Sequence, residues 1–395
     1  MPSALAGPER REFWVATWGQ FLVFAGFSMF FQFPVFIKVL GGTESRIGII
    51  MGFTPIASTF LLPWVASVVD RANRKVLMMG GGGVLALGSI AALALDTPGV
   101  GMAVLMTIRG LGFVLYLVAN GAHLARILPP RERARWFGIY YAFWSIAAAV
   151  GPGLGEAVIH YWGFQAFFGV SFAIVVTGTL LPLGLRGESA GLEALWTNPF
   201  PGIVSFFREL LQPRFRWLFF SMLLMAGGFA SVIGFTATYL QLLGLSSGVF
   251  FATYAVTSVV SRLWGGGLSD RLGRTVVVVP AMLVGCGSMM VYSFTQGLIT
   301  MMIAAGLAGL GFGFANPAIS AHMVDRAPPK LQGIAVGGFQ FAFNLGMVLT
   351  TPLMGAIADN MGYRPMWWSG SALVFGAALV YLIKSRERSL KPSKK

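Results

Sequence analysis

Two arginines stand where ionised side chains are rare, deep inside long apolar stretches. Arg109 lies about ten residues into one stretch, or roughly 15 Å at about 1.5 Å per helical residue, and Arg262 lies about 12 Å before Asp270 in another. Both positions fall near the middle of a hydrocarbon layer about 30 Å thick. A guanidinium stays charged at any working pH and can grip a carboxylate through two parallel hydrogen bonds. Two of them facing one cavity would favour an anionic ligand, whereas each could instead be spent on helix carbonyls or an acid. Among the acids, Asp325 and Asp359 sit at opposite ends of their stretches, which leaves Glu156 as the candidate for loading and releasing a proton, unless a watery vestibule merely solvates it. Gln32, Asn316, Gln340 and Asn344 add neutral hydrogen-bonding groups, of which Gln32 and Asn344 are the candidate ligand contacts, although neighbouring helices would satisfy them equally well.

The elements that must hold these groups are membrane helices. Of 395 residues, 56% are hydrophobic and 11% are charged, against about a quarter charged in an ordinary soluble domain. Apolar stretches long enough to cross a bilayer fall near 14–40, 46–69, 75–95, 99–125, 135–160, 164–184, 216–242, 246–270, 275–294, 297–323, 331–359 and 365–384. The fold class expected is therefore all-α and polytopic, with twelve transmembrane helices that satisfy their backbone groups internally and pack as one bundle. Glycine runs such as Gly80–Gly83, and Gly309, Gly311 and Gly313, suit close helix packing or hinges. The opening residues are polar and the apolar run after them is too long for a cleaved leader, so the first stretch reads as a retained span. Its rings between Phe21 and Phe36 would line an apolar pocket or face lipid.

Charge gives the orientation. A net charge of +14 raises the question of nucleic acid, but the basic residues occupy short loops rather than one helix face. With the N-terminus inside, Arg10, Arg11, Arg71, Arg74, Lys75, the cluster from Arg126 to Arg135, Arg186 to Arg216, Arg271, Arg274, Arg326, Lys330 and the tail from Lys384 all face one side, against Lys38, Arg46 and Arg364 on the other. The positive-inside rule then places both termini in the cytoplasm, with the protein in the inner (plasma) membrane and the bilayer as its partner. Residues 185–215 are the one long break and part the chain into 1–184, a cytoplasmic connector, and 216–395. Within the connector, Ile203 to Leu211 reads as a short amphipathic helix inserting Phe206 and Phe207 into the inner leaflet, or as plain linker.

The chain repeats itself at an offset of 200: Gly48 with Gly248, Asp70-Arg71 with Asp270-Arg271, Arg74 with Arg274, Pro152 with Pro352, and Gly155 with Gly355. Parallel six-span repeats place a ligand site between two bundles near the bilayer midplane, exposed to each side in turn as the bundles rock. The stretch Gly266-Gly267-Leu268-Ser269-Asp270-Arg271-Leu272-Gly273-Arg274 resembles the signature loop of the major facilitator superfamily, and the likeness extends over nearly the whole chain. The first copy departs from the pattern, with Ala66 and Asn73 where the family has glycine, so looser helix packing is expected there. The resemblance implies that Asp70, Arg71, Arg74, Asp270, Arg271, Gly273 and Arg274 latch the outward-facing state. It also implies a role for Arg109 in proton transfer or substrate contact, while Arg262 in Ser261-Arg262-Leu263-Trp264-Gly265 resembles eighth-span arginines of carboxylate and efflux carriers. Gly151-Pro152-Gly153-Leu154-Gly155 is similar to the fifth-span motif of antiporters in drug-efflux branches, with Glu156 in place of its final glycine, and Gly151, Pro152 and Gly155 are the gating candidates by that likeness.

Other chemistry is disfavoured. The single Cys286 offers no disulfide framework, and His123, His160 and His322 are too scattered to bind a metal. No phosphate loop, nucleophile elbow or HExxH pattern occurs, so neither an enzyme nor an ATP-driven pump is expected, and no cofactor. The expectation is a monomeric secondary transporter that moves a small-molecule substrate by alternating access. Proton-coupled efflux is the first reading; an organic-anion carrier or exchanger using Arg109 and Arg262 is the second. A transporter-like receptor is the reading from another class.

Overall fold

The computed structural model describes residues 7–56, 58–60, 65, 73–129, 132–186, 206–328 and 331–389, and the side chains of Asp270 and a few other helical residues fall outside that description. Helix α1 (Gly7–Met29) passes through a tight 3-10 turn, Phe30–Gln32, into α2 (Phe33–Val39). There follow α3 (Glu44–Gly52), α4 (Arg74–Ala91), α5 (Val100–Ile127) and α6 (Arg133–Leu180). The second set comprises α7 (Arg216–Leu242), α8 (Ser247–Leu272), α9 (Arg274–Ser293), α10 (Leu298–Asp325), α11 (Gln332–Met361) and α12 (Tyr363–Ser389). No strand occurs among the described residues, as lipid requires of chains that cannot close a barrel.

Short polar residues start the helices and glycines turn the chain between them. Thr43, Asn73 and Ser246 each accept a backbone N–H of the helix that follows, from Arg46, Lys75 and Val249. Gly163, at φ 76° and ψ −178°, breaks α6 into two limbs with one residue, a conformation closed to side chains with a Cβ. Gly362, at φ 89° and ψ 174°, does the same between α11 and α12, so the repeat extends to the tightest turns.

Nine helical stretches among the described residues are long and apolar enough to cross a membrane. One of them, Trp136–Gly184, holds the fifth and sixth spans joined at Gly163. Helix α8, 26 residues long, occupies the place of the eighth span. Helix α3 opens the second, much of whose remainder lies outside the described residues.

Helix α6 packs along α1 and α4, α4 along α5, and α7 along α11 and α12. Two further pairings join the N-terminal helices to the C-terminal ones: α3 on α11, and α6 on α8. Glycines allow several of these approaches; a Cβ on Gly81 would lie 2.7 Å from the Gly112 carbonyl, and one on Gly311 2.7 Å from the Gly285 Cα. The first-span rings turn inward: Phe27 stacks on Phe113 with centroids 4.1 Å apart, and Phe24 lies 4.1 Å from Trp144. The connector differs from a leaflet-bound helix. Its helical turn at 206–210 lays Phe206 and Phe207 against Phe341 of α11 and buries Leu210 on Gly338, because apolar protein surface is nearer than lipid.

Candidate functional site

Arg109 is wholly buried on α5. Its guanidinium carbon lies 3.3 Å from the ring centroid of Phe30, and Nη1 donates to the Ser89 hydroxyl and to the Leu85 carbonyl. The Ser171 hydroxyl donates to the Gly26 carbonyl at 3.0 Å and lies 3.2 Å from the Ser89 hydroxyl, so one polar chain ties α1, α4, α5 and the second limb of α6 around the charge. Nε and Nη2 have no hydrogen-bond partner. The ring face of Phe30 offsets part of the penalty for a cation held without an acid.

Arg262 lies on α8, partly buried, and donates through Nη1 to Ser145 Oγ of α6 at 3.0 Å, across the two sets of helices. Tyr141 and Tyr254 are close enough to feel its charge. The two arginines hold different partners, Arg109 on Ser89 and Leu85 and Arg262 on Ser145. By helix rise Arg109 stands about 14 Å and Arg262 about 22 Å from the end of the bundle opposite the basic loops, called here the far end. Asn344, nearly buried on α11, accepts from Gln340 at 3.2 Å.

Glu156 stands at that far end and spans the seam between the sets. Its Oε2 accepts the Ser247 hydroxyl at 2.8 Å and the Gly248 backbone N–H at 2.5 Å, in the first turn of α8. Gln32, expected as a ligand contact, donates to the Pro152 carbonyl at 3.0 Å and to Ser247 at 2.6 Å, so both its hydrogen bonds serve the same junction. Backbones touch beneath them: a Cβ on Gly248 would lie 2.8 Å from the Gly153 Cα. The other motif residues fix α6 to the first span. A Cβ on Gly151 would lie 2.5 Å from the Ala25 carbonyl, and one on Gly155 3.0 Å from the Phe167 ring and 3.3 Å from Gln32. Pro152 interrupts the α6 ladder there, having no N–H to give.

The repeated loops lie at the opposite, basic end. Arg274 donates through Nε to Asp325 at 2.9 Å and through Nη1 to Ser269 at 3.0 Å, and Gly273 makes the turn at φ 91°. Arg271 is exposed, and Asp270 lies in the last turn of α8. In the first copy Asp70 and Arg71 lie outside the described residues, and Arg74 opens α4. Asn73, at φ −65°, turns the chain without a left-handed residue and caps α4 by accepting the Lys75 N–H at 3.1 Å. Lys75 in turn donates to the Leu183 and Leu185 carbonyls. Ala125 stands at the offset of Asp325, so the first copy has a methyl group at the position of the carboxylate that receives Arg274.

Sequence reasoning missed Ser145, Ser247 and Gly248, whose partners lie 91 to 117 residues away along the chain. The alignment of Gly48 with Gly248 was the one signal that pointed there. An apolar groove of about 320 Å³ is lined by Leu268, Leu272, Val276, Pro280, Leu307 and Phe314 of α8, α9 and α10, and none of Arg109, Arg262, Gln32, Asn344 and Glu156 lines it.

The family model described as Major Facilitator Superfamily matches residues 13–349 and 247–395. The chain is 24% identical over 399 residues to a multidrug resistance protein MdtG of Klebsiella pneumoniae, covering 95% of this chain and 94% of that one. It is 23% identical over 360 residues to a staphylopine export protein of Staphylococcus aureus, covering 87% and 88%. Among solved structures, a bacterial homolog of the human lysosomal transporter Spinster, in an inward-facing and unoccupied conformation, superposes with a TM-score of 0.77 at 15% identity over 97% of this chain and 98% of that one. The nucleoside transporter NupG superposes with a TM-score of 0.76 at 15% identity over 96% and 99%.

Proposed function

The chain belongs to the major facilitator superfamily, and from that premise we propose that it exports a small organic solute across the inner membrane by alternating access, in exchange for protons. It is a multi-pass membrane transporter and not an enzyme. Export is favoured by the relatives, whose names are those of multidrug resistance and export proteins. In this reading residues 1–184 and 216–395 are two six-helix bundles joined by the connector at 185–215, the basic loops and both termini face the cytoplasm, and the far end faces outside. One chain supplies both bundles, so a monomer suffices.

The observation that carries the reading is the far-end seam. Helices α6 and α8 meet there through Gly153 and Gly248 and through the carboxylate of Glu156. A few polar bonds over a smooth glycine contact suit a junction that opens and closes as a unit. In purified proteoliposomes, a pH gradient should drive uptake of a transported dye, and Glu156→Gln should reduce that flux while leaving dye exchange largely intact. Unchanged pH dependence in the variant removes Glu156 from coupling.

A second reading is favoured by the placement of charge. Each of the 14 acidic residues lies outside the apolar spans or toward an end of one, whereas Arg109 and Arg262 stand at mid-depth. A path that is positive at its centre repels lipophilic cations and suits organic anions or neutral solutes. Neutralising Arg262 separates the readings, since selective loss of anion flux supports an anion carrier.

A further inference from the structure

The far-end seam has a second carboxylate junction, on the pair of helices that the internal repeat relates to the first, although the acids themselves differ in position: the offset of 200 sets Glu156 against Ala356 and Asp359 against Ile159. Asp359, near the end of α11, accepts the Ser45 hydroxyl at 2.7 Å, two residues past Thr43, the cap of α3. Ser45 stands in the first turn of α3, as Ser247 and Gly248 stand in the first turn of α8. In each case the acid sits near the outer end of a helix carrying a proline and a glycine three residues apart, Pro152 and Gly155 on α6, Pro352 and Gly355 on α11. In each case, too, a glycine of the capped helix presses backbone to backbone on the acid's helix. A Cβ on Gly48 would lie 2.6 Å from the Thr351 carbonyl and 3.0 Å from the Gly355 Cα.

We propose that Glu156 and Asp359 form a paired, proton-operated lock on the outer seam: ionised, each holds the opposite bundle by the first turn of one of its helices, and protonated from outside, each lets go. This rests on the reading of the chain as an alternating-access carrier with its far end outside. An ionised carboxylate accepts two or three N–H and O–H bonds and complements the positive end of a helix; the neutral acid keeps one acceptor oxygen and loses the charge. Lowering the external pH therefore favours the open outer seam. Asp359 is exposed at the surface and Glu156 partly so, which gives external protons access to both.

The charged and titratable groups around the pair are few. Lys38 acts on Asp359 and is itself paired with Glu44, which also accepts from Tyr363 of α12. Arg46 lies on α3 next to Ser45, and His160 lies one turn beyond Glu156 on α6. The first two turns of α8 carry no charge. Lys38 and Glu44 neutralise one another, which leaves Glu156 and Asp359 as the negative charges on the two capped turns and Arg46 as a positive one on α3.

The test is a distance across the outer seam. Spin labels at Tyr161→Cys and Gln296→Cys, both exposed, report it in a Cys286→Ser background reconstituted in nanodiscs. The parent should widen as pH falls from about 8 to about 3, a range that takes in the ordinary carboxyl values of about 4 and extends below them because the Ser45 hydroxyl holds Asp359 under the usual carboxylate value. At about pH 8, Glu156→Gln should raise the open-to-closed ratio about tenfold and the more exposed Asp359→Asn about threefold. The double variant should be mostly open and indifferent to pH. Ser45→Ala, which removes a donor and leaves both acids, should resemble Asp359→Asn and guards against a folding defect in the acid variants. A double variant that stays as closed as the parent, or keeps the parent's response to pH, overturns the lock. Widening as described in a protein that carries no substrate leaves the lock standing and overturns the transport reading instead.

Discussion

A methyl group at Gly248 should pry the outer seam open, whereas one at Gly153, directly opposite, should not. The Cβ of an alanine at 248 would lie 2.8 Å from the Gly153 Cα and 3.3 Å from Glu156 Oε2. The first obstacle is backbone, which cannot rotate away, and the second is the carboxylate that holds the Gly248 N–H. An alanine at 153 would meet the Gly248 Cα at 3.7 Å, an ordinary contact. Overpacking of a close junction costs about 1–3 kcal/mol. The strain exists only while the seam is closed, so it should shift the open-to-closed ratio by about 5-fold to 150-fold. The spin-label pair at Tyr161 and Gln296 reads the shift directly. Near-equal distance distributions for Gly248→Ala and Gly153→Ala would refute the reasoning, because the two substitutions add the same volume to the same interface.

Arg262→Gln should abolish accumulation of anionic dyes and spare neutral ones, measured as uptake into proteoliposomes; equal loss of both would reduce Arg262 to a strut against Ser145. Asp270→Asn and Asp70→Asn should bias the inward and outward states by different amounts in crosslinking assays, since Arg274 reaches Asp325 and the first copy has Ala125 in that place. Equal effects would mean that the asymmetry has no mechanical consequence. Asn73→Ala should lower the stability of the N-terminal helices by about 1 kcal/mol through loss of the α4 cap, seen as a drop in thermal midpoint, while Asn73→Gly should cost only a few tenths.

The span pattern and the repeat lay open in the sequence because they depend on local residue type: apolar runs, basic loops and repeated glycines and prolines. Asn73 shows where local reading misleads. Judged against the glycine at 273 it looked like a loss, yet it exchanges a left-handed turn for a side-chain cap. The position of Arg109 and Arg262 along their helices follows from counting residues, since helix rise is fixed. Their rotation was not legible, because it depends on which face each helix turns to its neighbours. Arg109 faces Phe30 and Ser89 inside the N-terminal helices, while Arg262 reaches across to Ser145. Glu156 was recognisable as unusual within its motif, but its partners on α8 become neighbours only when the two sets of helices close on each other. Asp359 was passed over as a residue at a helix end. The offset of 200 does not draw it out either, since it sets Asp359 against Ile159 and Glu156 against Ala356; only the packing of α11 on α3 brings Asp359 to Ser45.

The central claim is transport driven by a gradient across a seam that opens. Purified protein in liposomes, loaded with buffer at one pH and diluted into another with a fluorescent organic anion outside, measures it most directly. Dye should accumulate when the imposed pH difference favours exchange, stop when the gradient is collapsed by an ionophore, and reverse with the sign of the gradient. Absence of flux under every gradient, for anionic, neutral and cationic dyes alike, in protein that remains folded, would contradict it.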